Sequence, residues 1–501
     1  MPIIDAADLS DGDVLRSAVA IIGGGAAGIA LALRLAERGV DSVLCESGAD
    51  QRDERTQDLY VGESNGYWDL TTTRLRYFGG TTNHFNGQSR PLGVVDFEPA
   101  SWRPGHAWPI EHGQLDQHIP AAMELLGLAP GSWDAADWFD DLPPTTQPGT
   151  PGFEPVLFQA RAASMGATHR QTLAASDRCT VVFGANATNV VLDPDATRVD
   201  AIELATLSGS QFTLVADAYV VATGGIESAR LLLASDGQVA GGVGNSSGLV
   251  GRYFADHPST PPMRLVRSPG SSWLLPDRQV PASFGDVLVM AQLGIDDATQ
   301  TLLGLPGFHL RTWSYPESVA ESATGQAALS GPASSEAALA ALMDPLGPPP
   351  DMASRVAIGF DTIPNPDSRV VLNDSVRNEL GERTAEVQWR FTADDEANMA
   401  AVVELVARQL AMLGVGRLDT IAPQGTWADS VEGQHHHMGT LRMSASPSNG
   451  VVDPNLRSHD VANLFASGSS VFPTYGHVNP TLNIVALSLR LGDYLADQEV
   501  T

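Results

Sequence analysis

The chain has 501 residues, 43% of them apolar and 18% charged, and a formal net charge of −30 at pH 7. That length exceeds what one hydrophobic core usually serves, so two domains are expected. The acidity argues against nucleic acid, where phosphate binding needs clustered Lys and Arg, and against anionic membrane surfaces. Two cysteines, Cys45 and Cys179, are too few for a four-thiolate iron–sulfur cluster within the chain, and they supply no disulfide framework.

The first residues are acidic (Asp5, Asp8, Asp11, Asp13), the opposite of the basic start of a secretory signal. The apolar run from Ala18 to Leu35 is broken by glycines and carries Arg34, so it predicts no membrane span. A cytoplasmic protein is the expectation. Ala18–Ile22 reads as a central parallel strand. Ala26–Arg38 reads as a helix stopped by Gly39, and Val43–Glu46 as the next strand, with Cys45 as inert packing. Residues 91–169 are rich in Pro, Trp and Gly and predict loops and short helices. Thr180–Asp193 and Arg198–Thr223 read as strands and turns, the last running into a glycine turn and a helix over Ile226–Ala234. Residues 315–352 are rich in Ala, Ser and Pro, which fits a lid, a surface excursion or disorder. Thr384–Phe391 alternates, with Val387, Trp389 and Phe391 on one face, and predicts an antiparallel sheet with one covered face. Thr392 and Asp395 predict the cap of a helix whose apolar stripe is Met399, Val402, Val403, Val406, Leu410 and Leu413, ended by Gly414.

Gly23-x-Gly25-x-x-Gly28 lies between the first strand and helix, and Glu46 ends the second strand. Gly23 permits the tight turn, Gly25 lets the backbone approach a pyrophosphate, and Gly28 lets helix and strand pack closely. The helix start offers amide donors to the phosphates, and Glu46 offers acceptors to a ribose. The fingerprint alone does not separate FAD from NAD. FAD is favoured by Val220–Gly225 and Asn463–Gly468, further strand-to-glycine turns that suit a cofactor domain assembled from separated segments.

The chain resembles the glucose–methanol–choline (GMC) oxidoreductases, and within them bacterial relatives of pyranose and glycoside oxidases. The resemblance rests on Gly23–Glu46, Phe78–Gly87, Gly224–Leu232, Gly251–Pro258, His436–Thr440, Gly450–Asp453 and Asn479–Thr481, in family order. Residues 260 to 350 show little match. The resemblance implies an α/β fold: an FAD-binding Rossmann-like domain with a parallel sheet, and a substrate domain with an antiparallel sheet flanked by helices. The expected division gives residues 1–90, 170–260 and 430–501 to the FAD domain, and 91–169 and 261–429 to the substrate domain, with a possible lid at 315–352. It implies oxidation of an alcohol carbon by hydride transfer to the flavin, with a secondary hydroxyl of a sugar or glycoside as the expected substrate and oxygen or a quinone-like compound as acceptor. A dehydrogenase acting on a non-sugar alcohol and a non-redox flavin lyase are the alternatives.

By the same resemblance, His436 is the catalytic base and Asn479 its partner, the amide holding the substrate oxygen. Such a base contributes typically ~10²–10⁴ in rate. Three successive histidines also suit a metal site or a polar loop, but adjacent residues rarely converge on one metal, and no metal is expected. His435 and His437 read as supporting residues. His477 stands where the family commonly has a small residue. Asn479 could alternatively be a plain helix cap. Pro480 suits the first turn of the following helix, whose start would face the flavin. Gly79 and Gly80 would let the backbone approach the ring. His84 matches a position bonded covalently to the flavin in some members and packed or hydrogen-bonded in others. Ala26, Ala27, Thr81, Asn83, Gly468, Pro480 and Thr481 complete the expected cofactor contacts. Trp102, Trp108 and Trp133 suit either stacking on a sugar or the core.

Overall fold

A computed structural model describes residues 3–139, 153–268, 280–281, 287–295, 297–316, 352–419 and 425–498. The 315–352 lid expectation falls almost wholly outside them.

The first sheet has eight strands. Across it run Ile4–Asp5, Cys179–Phe183, Ser42–Cys45, Val14–Ile22 and Gln211–Val221, all parallel, with Leu464–Ala466 also parallel to the last. Val199–Ala205 and Asn186–Leu192 extend it as antiparallel strands. The central strand is longer than its apolar run. Val14–Ser17 pair with Thr213–Ala216, but Val14 is exposed, so the hydrophobic signal fades there. From Val19 to Ile22 every side chain is buried, as expected of a strand covered on both faces.

Register is what makes this sheet useful. Ile22 pairs with Cys45 and with Val221, and Val221 pairs with Ala466. Three neighbouring strands and the short one beside them therefore end at the same level. The residues that follow, Gly23, Glu46, Gly224 and Gly468, are delivered to one edge, the carboxyl edge where open α/β sheets bind ligands. Helices Ala26–Glu37 and Thr481–Asp497 pack on each other beneath it. Arg34 grips Asp493 with two hydrogen bonds of 2.8 and 2.9 Å. That pair is partly exposed, so the seam's stability comes from buried side chains such as Leu31, Leu35, Leu487 and Leu491, each worth ~1.5–3 kcal/mol.

The second sheet has ten strands. Gly416–Asp419, Met263–Arg267, Met352–Phe360, Phe308–Pro316, Leu288–Gly294, Glu154–Ala160 and Gln88–Ser89 lie side by side, antiparallel. Pro258–Ser259 and Glu432–Gly433 join it, Ser259 opposite both Gly359 and Glu432, and Val280–Pro281 pairs with Leu288–Val289. Glu154–Ala160 and the start of helix Met165–Ala175 fall within residues 91–169, expected to be loops and short helices. The strand leaves no local signal because its partner, Leu288–Gly294, lies more than a hundred residues away.

Thr384–Phe391 requires a correction. The strand spans Arg383–Gln388 and belongs to a separate three-stranded sheet, antiparallel to Arg369–Arg377 and parallel to Glu63–Asn65. Its alternation is real, since Val387 and Trp389 are buried, but the covered face is not that of the ten-stranded sheet. The following helix, Ala393–Met412, begins as expected, with Thr392 and Asp395 forming a reciprocal capping box.

Candidate active site

A cavity of about 1190 Å³ opens between the edge of the parallel sheet and the antiparallel sheet. Pockets for drug-sized molecules run ~300–1,000 Å³, so this one has room for a dinucleotide and a further small molecule. Its floor is the glycine turn. Gly23 has φ +110°, and a Cβ there would stand 2.7 Å from the Ala222 carbonyl oxygen. A Cβ on Gly28 would stand 1.9 Å from the Gly23 oxygen, so helix and strand meet only because that position is bare. A Cβ on Gly25, by contrast, would meet nothing within 4 Å: it would project into empty cavity beside the first turn of the helix. That is the geometry of a phosphate cradle.

Glu46 lines the same cavity. Its two oxygens accept from the backbone amides of Gly24 at 2.7 Å and Gly48 at 3.0 Å, so it braces the turn. A carboxylate has further lone pairs to offer a ribose. Burial pushes its pKa up, against those two amides and Arg76, which pull it down. Ala26, Ala27, Gly80, Thr81, His84, Gly468, Pro480 and Thr481 also line the cavity.

Three of the expected cofactor residues do not reach it. Gly28 works through packing, as above. Gly79 has φ +100°, and its missing Cβ makes room for the Asn83 and Ser164 side chains rather than for a ring. Asn83 donates to the Phe78 carbonyl at 3.0 Å and accepts from the Ser164 hydroxyl, so it pins the loop. Trp102 and Trp108 are core residues, and Trp133 packs against the core. The aromatic residues that line the cavity are Tyr60, Trp68 and Phe85, with Trp68 tied by its indole N–H to the Gly433 carbonyl at 2.8 Å.

The same cavity is lined by His436 and Asn479. The Asn479 amide nitrogen lies 3.2 Å from His436 Nε2. Asn479 is not a cap: helix Thr481–Asp497 starts at Pro480 without a side-chain cap bond. His436 is held by an unlike segment. Ala255 and Met438 exchange backbone hydrogen bonds of 3.1 and 2.9 Å, laying Gly251–Pro258 alongside His435–Thr440. The Asp256 carboxylate then accepts from the amides of His435 at 2.8 Å, His436 at 2.9 Å and His257 at 2.7 Å, and from the Tyr67 hydroxyl. His435 sits at φ +64°, a conformation costing ~1–3 kcal/mol outside glycine, which this clamp sustains.

The triple histidine separates into three roles by contact. His435 lines the cavity beside Trp68, ring centroids 5.4 Å apart. His437 stacks on Phe254 at 6.0 Å and presses its carbonyl against Gly225. His436 Nδ1 is 2.9 Å from His257 Nδ1. Burial, then His257, His435, His437 and Arg311, push the pKa of His436 well below the usual histidine range, so it is a neutral imidazole. His477 packs against Gly307 and the His309 ring, and neither of its ring nitrogens meets a hydrogen-bond partner among the described residues. Burial holds it neutral too, at about 3. Among the described residues, no group of three or more His, Cys, Asp or Glu is placed to hold a metal, and no helix is long and apolar enough to cross a membrane. Cys45 and Cys179 are free and buried, and burial pushes both thiols up, which suits inert packing.

Asp256 and His257 carried no assigned role in the sequence, although they stand in the Gly251–Pro258 segment. The Asp-His pair inside a family-like motif far from the three histidines was the available signal.

Residues 364–488 match the family model described as GMC oxidoreductase. This C-terminal stretch is a GMC oxidoreductase domain. The chain is 26% identical to paromamine 6'-oxidase of Streptomyces fradiae, over 96% of this chain and 92% of that protein. It is 28% identical to the fructose dehydrogenase large subunit of Gluconobacter japonicus, over 62% of this chain and 52% of that one. A crystal structure of pyridoxine 4-oxidase from Mesorbium loti has the same fold, with a TM-score of 0.58 and 17% identity over 97% of this chain and 99% of that one. Enzymes of this type oxidise CH–OH groups with FAD as their cofactor. The residues present fit that cofactor: the open Cβ position of Gly25, the acceptor Glu46 and the bare backbone of Gly80 all face the cavity.

Proposed function

We propose that this protein oxidises a secondary hydroxyl of a sugar or glycoside to a ketone. The observation that carries the reading is the His436–Asn479 pair, 3.2 Å apart in the cavity that the glycine cradle also lines. A hydroxyl placed between them donates its proton to His436 Nε2 while its oxygen accepts from the Asn479 amide. Bound FAD supplies the two-electron acceptor for the hydride that leaves the carbon. Removing the hydroxyl proton as the C–H bond breaks lets the C=O bond form without a high-energy cation, and this is the work of the base. Asn479 holds the oxygen without competing for the proton. The positive end of helix Thr481–Asp497 points into the same space and favours negative charge there.

The sugar reading is supported by the lining around the pair. Trp68 offers an apolar face, and Glu432, Gln434 and Arg311 offer hydrogen-bonding groups, a combination that suits a polyol ring. Paromamine 6'-oxidase and fructose dehydrogenase, both similar over most or much of this chain, are named for sugar substrates. The chain divides, in this reading, into a cofactor body on the parallel sheet and a substrate body on the antiparallel sheet. His84 lines the cavity, which supports a contact with the flavin, and desolvation lowers its pKa. The mass of the denatured polypeptide tells a covalent bond from a contact.

The test is anaerobic mixing of the yellow holoprotein with a panel of monosaccharides, glycosides and simple alcohols. A sugar should bleach the flavin absorbance and yield one equivalent of ketone. Bleaching by simple alcohols alone would overturn the sugar reading, and failure of every alcohol would overturn the redox one. Repeating the active reaction with oxygen and with a quinone identifies the acceptor.

A further inference from the structure

We infer that His257 is a positioning residue: it fixes the tautomer of His436 and so aims the lone pair of His436 Nε2 at the substrate hydroxyl. This rests on His436 being the base, as proposed above.

The argument follows hydrogen atoms along a line of four groups. His257 is 1% exposed, and its Nε2 lies 3.3 Å from the Tyr475 carbonyl oxygen. A carbonyl only accepts, so Nε2 of His257 carries the hydrogen. Burial keeps His257 neutral, so that ring has one N–H and its Nδ1 is a lone pair. That lone pair is 2.9 Å from His436 Nδ1, and the rings meet edge to edge at 77°. One hydrogen must lie between two nitrogens so placed, and it belongs to His436. The neutral His436 therefore has no hydrogen on Nε2, the atom that faces the Asn479 amide donor. The other tautomer of either ring would set two N–H groups or two lone pairs against each other.

The backbone enforces this alignment. One oxygen, Asp256 Oδ1, accepts from the amides of both His257 and His436, so the two rings are mounted on a single carboxylate. The line ends at a carbonyl that cannot take a proton. His257 thus orients the base and stabilises its N–H, and it does not carry the proton away.

The test uses two isosteric substitutions in the holoprotein. In His257→Asn the amide oxygen can take the place of Nδ1 and still accept from His436. In His257→Gln the amide takes the place of Nε2, keeping the bond to Tyr475 but leaving His436 Nδ1 without its acceptor. The rate of flavin reduction should stay within about tenfold in His257→Asn and fall ~10²-fold or more in His257→Gln, with KM little changed. Equal rates, or the reverse order, would overturn the inference, because a merely structural histidine needs the Tyr475 bond. Nitrogen NMR of histidine-labelled wild-type protein, without substrate, reads the tautomer directly and serves even if both variants lose flavin. His436 should show hydrogen on Nδ1 and a bare Nε2, and hydrogen on Nε2 would refute the claim. That spectrum does not depend on activity, so a failed base assignment and a failed tautomer assignment can be told apart.

Discussion

The two sides of the cavity are built by opposite means. The cofactor side is made of backbone brought close by missing side chains: Gly23, Gly25 and Gly28 in one turn, with strand ends held level by sheet register. The proposed substrate side is made of side chains from segments remote in sequence, Trp68, His436 and Asn479, with His436 and His257 aligned by the shared Asp256 carboxylate and the Ala255–Met438 bridge. Tolerance on the first side is therefore set by steric distance and on the second by hydrogen-bond identity. The same kind of substitution should fail in different ways on each.

The largest effect is expected at Gly28. Its Cβ would lie 1.9 Å from a backbone oxygen, and nothing flexible is there to yield. Gly28→Ala should cost ~1–3 kcal/mol or more by overpacking and leave purified protein without flavin, as its visible spectrum and thermal unfolding would show. A yellow protein of unchanged stability would mean that the helix and strand are not in the contact described.

Gly25→Ala sharpens the contrast. The Cβ meets nothing within 4 Å, and the backbone conformation suits alanine, so the flavin-free protein should unfold at an unchanged temperature. Affinity for FAD should nevertheless fall ~10–100-fold, the loss expected for one blocked hydrogen bond to a charged phosphate. Weaker folding with unchanged FAD affinity would reverse the two sides.

On the substrate wall, Asn479→Ala should retain flavin and stability but lower the rate of flavin reduction about 10²-fold, as removal of one oriented donor typically does. Unchanged reduction would mean that the amide is a bystander. The smallest effect is a pH response that should be nearly absent. His436 is held neutral well below the usual histidine pKa of ~6.5, and the base works unprotonated. Reduction at low substrate should stay flat from pH 8 to 6 and fall only at lower pH. An acid limb at 6.5 or above would show that burial does not govern this imidazole. Folding should respond in the same range: unfolded histidines take up protons that the buried His257, His309, His436, His437 and His477 refuse. These groups therefore contribute stability that is full above pH ~6.5 and is lost as pH falls below it.

The same contrast explains what could be read in the sequence. The glycine turn, Glu46 and the first helix were legible because close backbone approach demands glycine at fixed spacing, and local spacing is what a sequence displays. His436 and Asn479 were reached through resemblance, since nothing in their local pattern says that residues 43 apart meet. Trp68 and His257 escaped because their roles arise from pairing: Trp68 is tied to Gly433, and His257 comes to His436 through the Ala255–Met438 bridge. Trp102 and Trp108 were equally visible as tryptophans, and only burial told core from cavity. Gly79 is expected at the ring and Asn83 among the cofactor contacts, but they brace the loop that presents Gly80.

The central claim is that His436 accepts the hydroxyl proton above a flavin held by the glycine turn. It is tested most directly by anaerobic stopped-flow reduction of His436→Ala loaded with FAD. The variant should keep its flavin and unfold near the wild-type temperature, with reduction by substrate slowed ~10²–10⁴-fold. Reduction at the wild-type rate with a full complement of flavin would contradict it.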